Sequence, residues 1–99
     1  MAEWIYFIHP PRQDFAATMT EVEQEAWGRH WTRIQQLYAD GVIVLVGPTL
    51  GPTNTGICVF EAPSEEAALE IMNGDPAIAE GHARGELRPF RISLLRGRD

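Results

Sequence analysis

The sequence predicts an α+β domain in which two helices cover one face of a four-stranded antiparallel sheet. Three observations predict it. Four short runs rich in β-branched and aromatic residues are separated by stretches with helical apolar spacing. Each of the two long helical stretches opens on a capping residue and closes at a glycine. The chain has 99 residues, room for one domain spanning 1–99 and no second.

The first run is Trp4-Ile5-Tyr6-Phe7-Ile8, a strand halted by His9-Pro10-Pro11. Residues 10–19 form a connecting loop, because a proline pushes the residue before it toward extended conformations. A helix starts near Thr20, where Thr20-Glu21-Val22-Glu23 fits a capping box and the acids suit the positive end of the helix dipole. Ala26, Trp27, His30, Ile34, Leu37 and Tyr38 follow at spacings of three and four, and Asp40-Gly41 ends the helix. Val42 to Val46 is a second strand, Gly47 to Gly56 a hairpin tip dense in glycine, proline and threonine, and Ile57 to Phe60 a third strand. Ser64 caps a second helix whose apolar side runs through Ala67, Ala68, Leu69, Ile71 and Met72 to Asn73-Gly74. Asp75-Pro76 reads as a cap followed by proline at the first helical position, giving one short turn to Gly81. A polar stretch leads to a last strand, Arg88 to Leu95, alternating Phe90, Ile92 and Leu94 with Arg91 and Ser93.

The order β-α-β-β-α-β in so short a chain favours the split βαβ, or ferredoxin-like, arrangement. The first two strands then run parallel with the third between them and the fourth outside the first. A sheet with one wet face alternates apolar and polar residues. Here the first three strands are apolar at nearly every position, and two helices cover only one face. We therefore expect a homodimer packed sheet to sheet, because large exposed apolar patches are uncommon on monomers.

Composition excludes several functions. Net charge is −6, which disfavours nucleic-acid binding. The eight basic residues are all arginine, so a lysine Schiff base and a lysine-bearing phosphate loop are both out. One cysteine, Cys58, makes neither an internal disulfide nor a multi-cysteine metal site, and its place in a central strand reads as a buried thiol. The three histidines have no metal-ligand spacing. No apolar run approaches the roughly 18 residues of a membrane span, and the N-terminus lacks the pattern of a secretory signal, so a cytoplasmic protein without cofactor, metal or membrane partner is expected.

Connectivity brings His9, Glu23, the 47–56 loop and Asp75 to one rim of the sheet. His30 lies on the stripe of Ala26, Ile34 and Leu37 and so points at the sheet. There it is either a core histidine bonded to a carbonyl or an acid–base group in a partly dry pocket. Glu23, two turns earlier, either completes the capping box or turns toward His30. Asp75 caps a helix and retains acceptor sites with which to orient an imidazole. His9 ends a strand by the rim, His82 lies in an exposed polar segment, and Phe7, Trp27, Trp31 and Phe60 are available to line a pocket. Arg88, Arg91, Arg96 and Arg98 read mostly as a solvated edge, with some of them available to bind an anionic substrate group.

Three blocks in order, His30-Trp31-x-x-Ile34, Asp40-Gly41 followed by Gly47-Pro48, and Asp75-Pro76-x-x-x-x-Gly81 followed by Leu87-x-Pro89-Phe90, resemble the YCII-related (YciI-like) family over nearly the whole chain. The resemblance implies a ferredoxin-like fold that dimerises into an α/β barrel. It also implies a histidine–aspartate pair, which by motif falls on His30 and Asp75. One relative is similar to a dehydrochlorinase acting on chlorinated hydroxyquinols, which implies proton-transfer or lyase-like chemistry without a cofactor. His9-Pro10-Pro11-Arg12 and Met19-Thr20-x-x-Glu23 depart from the shortest members and mark a longer first loop. Two readings result. In the first, His30 and Asp75 do acid–base chemistry on a small, aromatic or oxygenated molecule held by His9, Glu23, Trp27 and Phe7. In the second, the dimer is a non-catalytic ligand-binding or accessory module, with His30 a structural or contact residue.

Overall fold

The computed structural model describes residues 1–97, so Arg98 lies outside the described residues. The elements are β1 (Ala2–His9), α1 (Phe15–Thr18), α2 (Glu21–Ala39), β2 (Ile43–Pro48), β3 (Gly56–Ala62), α3 (Glu65–Asn73), α4 (Pro76–Ala79) and β4 (Arg84–Pro89). The strands form one open antiparallel sheet in the order β2-β3-β1-β4. This is the topology expected from the element order, and it is consistent with a ferredoxin-like fold.

The caps are those the sequence spells out. Thr20 accepts from the Glu23 amide while Glu23 reaches back to the Thr20 amide, fixing where α2 starts. Ser64 and Asp75 cap α3 and α4, with Pro76 opening α4. Trp4, Tyr6 and Ile8 of β1 and Cys58, Phe60 and Ala62 of β3 form the helix-facing core with Ile34, Ala68 and Met72. The alternate residues Ile5 and Phe7 face the other side of the sheet and are half-buried.

Strands β1 to β3 shift by a residue or two at their ends, and two segments differ from expectation by more. The 10–19 loop contains the short helix α1, made where Phe15 turns inward and is buried. The last strand lies earlier, at Arg84–Pro89, and Phe90 to Leu95 is not strand. Pairing His9 with Arg84 and Trp4 with Pro89 uses up most of β1, leaving the alternating segment almost no partner backbone. Gly85 explains why the early part reads as loop. A Cβ there would sit 2.9 Å from Ile78 Cδ1 and 3.0 Å from Met72 Sδ, so α3 and α4 come down where a side chain would stand. On the helices, Tyr38 and Leu69 point outward instead of joining their apolar stripes.

Candidate functional site

The site starts with the register of α2. Ten residues after its cap, His30 follows Ala26 and precedes Ile34 on one face, and both neighbours are buried against the sheet. Its ring meets Asp75 across 45 positions of sequence, with Nδ1 2.6 Å from Oδ2. Asp75 is held there by the short helix it caps: Oδ1 accepts the Ala77 amide at 2.9 Å. Tyr6 of β1 donates its hydroxyl to Oδ2 at 3.1 Å. Three donors from three elements thus meet one wholly buried carboxylate, which is how such a group is accommodated away from water. With a carboxylate as acceptor, Nδ1 carries the proton in the neutral ring, leaving Nε2 as the basic nitrogen. Nε2 has no hydrogen-bond partner among the described residues.

His30 lines a cavity of about 480 Å³ between α2 and the sheet. Tyr6, Ile8 and Cys58 supply the sheet side, and Trp27 and Phe15 one wall. Val46, Leu50 and Asn54 of the hairpin and the half-exposed Trp31 complete the lining. The lining is mostly apolar, with few polar groups, the usual character of a small-molecule site. Burial pushes the Cys58 thiol up to about 12, which leaves it protonated and unreactive. Burial, with Cys58 and Asp75 adding to it, raises the Tyr6 phenol far above its ordinary range, so it stays a donor.

Of the residues singled out in the sequence, the structure brings together His30, Asp75 and Trp27, whose indole lies 6.0 Å from the imidazole between centroids. Glu23 does complete the capping box, and it does more. Arg12 grips both its oxygens at 2.8 and 2.9 Å, and this bond, then the Thr20 amide, lowers the Glu23 carboxyl to about 2. The Arg12 guanidinium lies 5.0 Å over Phe15, which packs on Trp27, so Glu23 braces the cavity wall from outside and does not line it. Phe7 and His9 stand on the opposite face of the sheet. They stack on each other there, and His9 pairs with Glu86 at 2.8 Å. Strand alternation is the reason, since Tyr6 and Ile8 point to the helices and their neighbours cannot. Phe60 is buried beneath Tyr6 and does not line the cavity. His82 is half-buried and lies 3.7 Å from Glu80, beside a second, more open hollow shared with His9 and Arg84. The sequence reading missed Tyr6, whose signal was its parity with Trp4 and Ile8, and Phe15, an apolar residue in a segment taken for loop. Among the described residues no three His, Cys, Asp or Glu side chains gather as a metal site.

No curated protein matches the chain. Among solved structures it is similar to 5-chloro-2-hydroxyhydroquinone dehydrochlorinase from Burkholderia phenoliruptrix AC1100, determined in complex with 2,5-dihydroxybenzoquinone. The TM-score is 0.63 at 18% identity, over 88% of this chain and 93% of that one, a likeness of fold. Residues 4–91 match the YCII-related domain, and the chain belongs to the YCII-related family.

Proposed function

We propose that this chain is a cytoplasmic enzyme that moves a proton on a small, flat, oxygenated molecule, with His30 as the acid–base group and Asp75 as its orienting partner. The observation that carries the reading is the 2.6 Å bond between His30 Nδ1 and the wholly buried Asp75, on a ring that also lines an apolar cavity. In this reading Nε2 takes a proton from a hydroxyl or an activated C–H of the bound molecule. The Asp75 carboxylate stabilises the imidazolium that results, and the proton is returned to product or leaves with a departing anion. Trp27 and Phe15 stack or wedge the ring, and the cavity keeps water from the nitrogen. The dehydrochlorinase with the same fold, seen with a dihydroxybenzoquinone, makes lyase-like removal of a leaving group from such a ring the first chemistry to try.

The same reading includes a homodimer. Ile5 and Phe7 are half-buried and Leu45 is exposed on the face no helix covers, and a second copy packed sheet to sheet would close it. Light scattering should then give twice the 11.1 kDa chain mass, and the single mass would remove this part of the reading.

The test of the chemistry is a panel of halogenated and hydroxylated phenols and quinols, followed by halide release and ultraviolet absorbance. The wild-type chain should turn over at least one of them, and His30→Asn should lower kcat by about 10²–10⁴-fold. Ligand-induced thermal stabilisation without turnover, unchanged in His30→Asn, would replace the enzyme with a binding module.

A further inference from the structure

Asp75 Oδ2 is one oxygen with two side-chain donors, the His30 Nδ1–H at 2.6 Å and the Tyr6 hydroxyl at 3.1 Å. The ring of Tyr6 alone satisfies packing: it is wholly buried and meets the Phe60 ring at 5.6 Å, edge to face. A hydroxyl adds nothing to that contact and costs desolvation unless it is bonded. Its hydroxyl donates to the oxygen that holds the imidazole, with the Cys58 thiol also within its reach. Donors sharing an acceptor draw on the same electron density, so strengthening either bond weakens the other.

The geometry points to Tyr6 as a positioning residue that sets how strongly Asp75 holds His30. The phenol locks the carboxylate against rotation from the β1 side, while the Ala77 amide locks it from the α4 side. By occupying part of Oδ2 it also moderates the pull of the carboxylate on the imidazole. Its consequence for turnover rests on the acid–base reading of His30, but the competition itself exists in the resting protein. Burial keeps the phenol protonated and so keeps it a donor. The other titratable or charged groups near the pair are Arg33 on α2 and Cys58 on β3, directly opposite Tyr6 and in reach of its hydroxyl, whose thiol burial keeps protonated.

The test reads the His30 Nδ1–H proton by NMR in the free full-length chain. Tyr6→Phe should move this resonance further downfield as Asp75 concentrates on the imidazole. Placing 3-fluorotyrosine, a stronger donor of nearly the same size, at position 6 should move it upfield. Where a substrate has been found, Tyr6→Phe should change kcat more than KM. Shifts of opposite sign support the proposal. No shift in either variant, or shifts of the same sign, would reduce Tyr6 to a packing residue. If Tyr6→Phe fails to fold, the fluorotyrosine chain decides alone. Opposite shifts together with full turnover in His30→Asn would sink the enzyme reading and leave this one standing. The converse pair of results would do the reverse.

Discussion

The molecule carries two histidine–carboxylate pairs of nearly equal length, one on each face of its sheet. His30–Asp75 spans 2.6 Å under α2, and His9–Glu86 spans 2.8 Å on the face without helices. Length does not distinguish them; surroundings do. Asp75 is fully buried, caps α4 and takes a tyrosine hydroxyl as well. Glu86 is a third exposed and shares itself with Arg88, and these two bonds, that to His9 first, lower its carboxyl below the ordinary range. Water competes for the second pair and screens it, whereas the first has only its scaffold. A histidine beside a carboxylate becomes a candidate for chemistry where the protein has fixed the carboxylate from several sides and left the other ring nitrogen facing a cavity.

The largest test of that contrast removes each carboxylate. Asp75→Ala leaves the Tyr6 hydroxyl, the His30 Nδ1–H and the Ala77 amide without an acceptor, and should cost roughly 3 kcal/mol in urea unfolding from the lost cap and the stranded donors. Glu86→Ala should leave the urea midpoint within error. Equal losses would mean that burial is not what separates the pairs. A smaller effect compares adjacent positions of β4. Gly85→Ala pushes a methyl toward Ile78 and Met72 on the helix face, and should cost about 1 kcal/mol because both are side-chain ends that can shift.

The subtlest effect is on pH. Glu23 titrates near 2 when folded, below its ordinary 4.5. The stability it contributes is therefore complete above the ordinary value and lost as pH falls through the folded one. The α2 cap and the Arg12 brace should loosen between about pH 4.5 and 2. In Arg12→Ala the ¹³C titration of the Glu23 carboxyl should move upward, while the His30–Asp75 pair, which Arg12 does not touch, keeps its Nδ1–H signal.

Much of this was legible in the sequence because it is local. Thr20-x-x-Glu23, Ser64 and Asp75-Pro76 announce their helices within four residues, and the order of elements leaves few ways to arrange four strands. His30 was legible as inward-facing from its spacing alone. What escaped depends on contacts between distant segments. Gly85 looks like loop until Met72 and Ile78 are seen above it. Phe15 looks like loop until Trp27 is found against it, at 4.7 Å between ring centroids. His9 is drawn to the site by nearness to the rim and Phe7 by being an aromatic available to line a pocket, although period-two alternation, read from Tyr6, places both across the sheet from His30. The 45-residue reach from His30 to Asp75 came from the family resemblance, and Tyr6 came from neither source.

The central claim is that Asp75 holds the His30 ring by Nδ1 and leaves Nε2 bare toward the cavity. Two-bond ¹H–¹⁵N correlation of the ¹⁵N-labelled chain reads this directly. The account predicts that the neutral ring carries its proton on Nδ1 in the wild-type chain and loses that preference in Asp75→Asn. A proton on Nε2 in the wild type, or the same tautomer in both chains, would contradict it.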